Sequence, residues 1–65
     1  MKQINAFWDE IGGQHLLVVP PFDSEGNEVS EDLNAGWVRE SLPTLAEKAK
    51  RQGFKIWIGE EDRFL

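Results

Sequence analysis

Not one of the 65 residues is a cysteine, so no disulfide and no thiolate zinc site can hold this chain together, and its fold must rest on a hydrophobic core alone. A chain of this length makes one domain, residues 1–65, near the lower limit at which core burial outweighs chain entropy. The core must therefore be dense. Three Trp and four Phe offer to fill it, since each aromatic ring buries roughly 150–250 Å². Such a core leaves little interior for an enclosed substrate pocket. The missing thiols also suit a reducing compartment. The segment MKQINAFWDE has no apolar stretch of signal-peptide length, and the longest apolar run, residues 16–22, contains two prolines and is too short to span a bilayer. The expectation is an unexported, cytoplasmic protein.

Hydrophobic spacing lays out the elements. Ile4, Phe7, Trp8 and Ile11 share one face of a helix, with Gly12-Gly13 as its C-terminal cap. Ile4, Ala6 and Trp8 also alternate as in a strand that hairpins onto the next segment, so residues 3–11 read as helix first and strand second. Gln14 to Pro20 reads as a strand, ended by Pro20-Pro21, neither of which can donate to a ladder. Asp23 to Asn27 carries turn chemistry, followed by a short return strand at Asn27 to Val29. Ser30 is an N-cap with Glu31 and Asp32 in the first turn. Leu33, Trp37, Val38 and Leu42 form one apolar stripe and Leu45, Ala46 and Ala49 a second, divided by Pro43, which suits a helix start. This predicts helices near 31–41 and 43–52, or one kinked helix, stopped by Gly53. Residues 54–58 (FKIWI) make the last strand, with Phe54, Ile56 and Ile58 on the core face beside Leu33, Trp37, Leu42 and Leu45. The expected architecture is α+β, a small antiparallel sheet of about three strands packed on helices on one face.

Candidate chemistry is sparse. Asp23, Glu25 and Asn27 begin like an oxygen-ligand calcium loop, but the sixth and twelfth positions hold Glu28 and Asn34 instead of Gly and Glu, so no metal is expected. His15 is the lone imidazole, and nothing in the spacing joins it to Ser24, Ser30 or Ser41 as a triad would need. No catalytic residue, cofactor or enzymatic activity is expected. Lys48, Lys50, Arg51 and Lys55 form the one basic cluster, and the first three complement a helix C-terminus. With a net charge of −5, direct nucleic-acid binding is not expected, because such affinity comes from cations that displace counterions from phosphates.

What remains is charge and one aromatic. Asp23, Glu25, Glu28, Glu31 and Asp32 fall within ten residues that hold no Lys or Arg. Opposite the core face of the last strand lie Lys55 and Trp57. Trp57 either forms an apolar interaction patch with an outward Leu17 or Val19, or is covered by the N-terminal segment.

An acidic, cysteine-free single domain with the stretch DSEGNEVSED and aromatic anchors resembles the small inhibitors that bacteriophages encode, those of the anti-CRISPR type above all. The resemblance is one of overall character across the chain, without a motif matched residue by residue. It implies a protein that blocks a basic, nucleic-acid-handling protein partner as a DNA mimic, with Asp23, Glu25, Glu28, Glu31, Asp32 and Trp57 as contacts. Glu40, Glu47 and the acids at 60–62 would extend the track, and Trp37 would join Trp57 as an anchor. The alternative is a soluble interaction module whose acidity serves only solubility.

Overall fold

The computed structural model describes residues 2–36 and 41–65. Among them are four strands, β1 (Lys2–Ile11), β2 (Gln14–Val18), β3 (Phe54–Ile58) and β4 (Arg63–Phe64), and two helices, α1 (Glu31–Gly36) and α2 (Leu42–Arg51). The strands form one mixed sheet in the order β2-β1-β3-β4. The α+β class holds; the sheet has four strands instead of three and is not purely antiparallel, because β1 and β3 run parallel, with Ile4 opposite Ile56 and Ala6 opposite Ile58.

Residues 2–11 are strand, not helix. Both periods are present in the sequence, and tertiary pairing decides between them: β1 is laddered on one side by β2 and on the other by β3. Gly12 and Gly13 do not cap a helix. They take φ of 60° and 79° between the paired residues Ile11 and Gln14. That is the two-residue hairpin turn whose positive φ values glycine adopts without strain.

After Val18 the chain leaves the ladder, as Pro20-Pro21 requires. It makes a tight excursion in which Phe22 bridges Glu28, Val29 N donates to Pro21 O at 2.8 Å, and Ser24 N donates to Gln3 O at 2.8 Å. The last bond stitches the excursion to the stretch of β1 that β2 does not reach. Ser30 then caps α1, its Oγ accepting from Leu33 N at 3.3 Å. Ser41 caps α2, with Pro43 in the first turn as expected. Trp37, Val38 and Glu40 lie outside the described residues.

Both helices pack on one face of the sheet. Ile4, Ala6, Leu17, Val19, Val29, Leu33, Ala49, Ile56 and Ile58 form a single buried cluster, and Leu45 is fully buried with them. This core is aliphatic. The described aromatics lie at its edge or outside it: Trp8 and Phe54 are half-buried against it, while Phe7, Phe22 and Phe64 are exposed. Aromatic burial as the source of core density is thereby corrected for the described residues. The tight fit comes from branched aliphatics alternating on paired strands, which suit a pleated, covered surface.

Candidate functional site

Two surfaces stand out, the acidic excursion between β2 and α1 and the sheet face that the helices leave bare. The excursion is built around Asp23. Its Oδ1 accepts from Glu25 N and from Asn27 N, both at 2.9 Å, while Gly26 N returns to Asp23 O at 3.1 Å. The side chain thus closes an Asx-type turn on its own loop. It is 7% exposed, and its Oδ2 has no hydrogen-bond partner among the described residues. Burial acts to raise its pKa, but the backbone N–H groups of Asn27 and Glu25, the Asn27 side chain and the charge of Lys2 outweigh it and hold the carboxyl below its ordinary value. Asp23 therefore shapes the loop and does not offer its charge to solvent.

The other four acids divide. Asp32 Oδ1 accepts from Lys48 Nζ at 3.1 Å across the two helices. The run that lacks a cation in sequence thus receives one from α2. Glu25, Glu28 and Glu31 are exposed, and no ion pair engages them among the described residues. Glu28 and Glu31 border a shallow cleft of about 570 Å³, walled also by Pro21, Ser30, Gln52 and Phe54. The Ser30 hydroxyl donates to Gln52 Oε1 at 2.6 Å, fixing the cleft wall between α1 and the end of α2.

The basic cluster is largely engaged at home. Besides Lys48 on Asp32, Arg51 pairs with Glu47 at 3.9 Å, and Lys55 Nζ stands over the Phe64 ring, 4.9 Å from its centroid. His15 packs its ring on Trp8 at 5.2 Å. The Trp8 Nε1 donates to Glu61 Oε1 at 3.2 Å, and Glu61 in turn accepts from Arg63. Ser30 Oγ is taken by Gln52 and Ser41 Oγ by Thr44. No group of three or more His, Asp or Glu side chains suited to a metal occurs among the described residues. No described helix is long and apolar enough to cross a membrane.

Trp57 lies on the bare face, half-buried, with its ring 4.7 Å from that of Phe64. Its neighbours are not those expected. Leu17 pairs with Trp8 and is buried with Val19 in the core, so the outward residues of β2 are Leu16 and Val18. Nor does the N-terminal segment lie over Trp57, because it is the adjacent strand, with Asn5 directly opposite. Sequence reasoning missed Phe7, Leu16, Val18 and Phe64 as companions of Trp57. The signal available was the Phe7 position in the alternation of β1, readable once β1 is a strand. Comparisons with protein-family models, with curated proteins and with solved structures returned no match.

Proposed function

We propose that this chain is a binding protein whose acidic excursion engages a basic surface on a protein partner, one that otherwise holds nucleic acid. The observation that carries this reading is the set of three exposed carboxylates, Glu25 and Glu28 on a loop that Asp23 fixes from within and Glu31 at the start of α1. A fixed display matters, because a partner's Lys or Arg then meets charges already in place and little ordering cost is incurred on association. The cleft beside Glu28 and Glu31, with the Phe54 ring in its wall, suits the stem and head of one such cation.

In the sharper form suggested by the anti-CRISPR resemblance, the carboxylates stand where phosphates would lie in the channel of a surveillance complex. Duplex DNA carries about one charge per 1.7 Å of axis. With Asp23 buried and Asp32 paired, the three remaining acids match only a short stretch of that spacing. Steering and competition for a few cations suit this geometry better than imitation of a long duplex.

The test is capture from bacterial lysate on immobilised chain, with release by salt and by duplex DNA. The expected result is a captured protein that both agents displace, and a sharp loss of its association rate with the combined variant Glu25→Lys, Glu28→Lys, Glu31→Lys. A folded triple variant that captured the same protein at the parental rate in low salt would overturn the reading.

A further inference from the structure

The bare face of the sheet is assembled by parity. Side chains alternate along a strand, and directly paired residues share a face. With Ile4, Ala6, Leu17, Ile56 and Ile58 committed to the helices, the registers place Leu16 and Val18 of β2, Phe7 and Ile11 of β1, Trp57 of β3 and Phe64 of β4 on the opposite side. Phe7 is 42% exposed, Ile11 41% and Phe64 45%. Together they form an apolar band running obliquely from one sheet edge to the other. Neither α1 nor α2 packs on it.

We propose that this face binds a second copy of the chain, sheet against sheet, about a two-fold axis lying between the sheets and crossing the strands. The charges select this occupant. Among strand residues only Asp9 and Lys55 carry charge on the bare face. They stand at opposite ends of it: Lys55 is level with Gln3, six residues along β1 from Asp9, about 20 Å at 3.3 Å per residue. The axis described reverses strand direction between copies. It therefore sets each Asp9 over the Gln3–Lys55 row of its partner, twice by symmetry, as an isologous contact demands. Of the polar residues on this face, Gln3 and Gln14 lie toward its two ends, and Asn5, opposite Trp57, lies between them.

The acidic excursion does not obstruct the contact. Val29 and Leu33, which flank its return, are buried on the helix side, so Glu31 and the cleft are carried away from the bare face. The four strands are unequal, ten residues in β1, five each in β2 and β3 and two in β4, so at about 3.3 Å rise and about 4.8 Å spacing they offer roughly 350 Å² per copy. A pair then buries on the order of 700 Å², the size of a weak, transient contact. A reversible dimer of modest affinity follows, its sheets about 10 Å apart.

Analytical ultracentrifugation of the full chain from about 1 µM to about 1 mM spans the range in which an interface of this size dissociates. The expected result is a concentration-dependent shift from the 7.4 kDa chain mass to twice that value. Asp9→Lys and Lys55→Glu should each weaken the dimer about tenfold or more by setting like charges face to face. An equimolar mixture of the two variants should restore parental affinity, because in the mixed pair both contacts again join opposite signs. Circular dichroism melts establish that each variant is folded. A parental chain that stayed monomeric throughout, folded single variants that dimerised like the parent, or a mixture no tighter than either variant alone would each overturn the proposal.

Discussion

The two faces of one sheet make an instructive pair. Toward the helices the strands present Ile4, Ala6, Leu17, Ile56 and Ile58, all buried. Away from them they present Phe7, Leu16, Val18, Trp57 and Phe64, half-buried or exposed. Both faces are apolar, so hydrophobicity alone does not tell inside from outside. Shape and charge do. Where the helices cover it, the inner face is aliphatic, built of Ile4, Ala6, Leu17, Ile56 and Ile58; the outer one carries the rings of Phe7, Trp57 and Phe64 together with Asp9 and Lys55. Flat rings with a polar rim suit a surface that exchanges solvent for a partner, whereas branched aliphatics suit one that is covered once, on folding.

The contrast can be pressed by truncating each side in turn. Ile56→Ala empties a site that is 2% exposed and should cost about 2–5 kcal/mol, a large part of the stability of so small a domain. Denaturant melts would show it as a lowered midpoint, and a parental midpoint would remove Ile56 from the core. Trp57→Ala, on the same strand but the opposite face, should cost less, about 2 kcal/mol, because its ring is half-buried against Phe64. A loss equal to that of Ile56→Ala would erase the distinction between the faces.

Two smaller effects belong to the acidic excursion, away from both faces. Asp23 has a lowered folded-state pKa. The stability it contributes is therefore present above its unfolded value, about 3.9, and is lost as pH falls through the lower folded value. Acid melts of Asp23→Asn should lack that part of the pH response; an unchanged acid profile would remove the carboxylate from the loop's support. Reversing Glu25, Glu28 and Glu31 to Lys should change stability least, within about 0.5 kcal/mol each, as thermal melting can check. A large loss would make these acids structural.

Some of this was open to inspection in the sequence. Ser30 as a cap, Pro43 in a first turn, Gly53 as a stop and the shared face of Phe54, Ile56 and Ile58 all depend on local chemistry and were readable. The parity of Leu16 to Val19 was not, because an unbroken apolar run carries no alternation to read. The choice of strand for residues 2–11, and its parallel pairing with β3, depend on a partner some fifty positions away along the chain. Long-range selection of this kind overrides local propensity. In the excursion, the turn at Asp23 was legible from its Asp, Gly and Asn. Its consequence, a carboxylate withdrawn from the surface, was not drawn, and the Lys48 that meets Asp32 comes from another helix. The number of acids in a segment is thus an upper limit on the charge that it displays.

The double proline after β2 bears on how this molecule avoids its own kind in the wrong way. A sheet with an open apolar face and an outer strand as rich in Leu and Val as β2 invites strand addition, the first step toward fibrils. A strand joining that edge would find partners for only the five residues from Gln14 to Val18, and at Pro20 and Pro21 it would meet no amide hydrogen at all. Just past that point the Ser24–Gln3 bond occupies the part of β1 that β2 leaves unpaired. The edge is closed to endless growth, and the face remains available for a contact that ends at two.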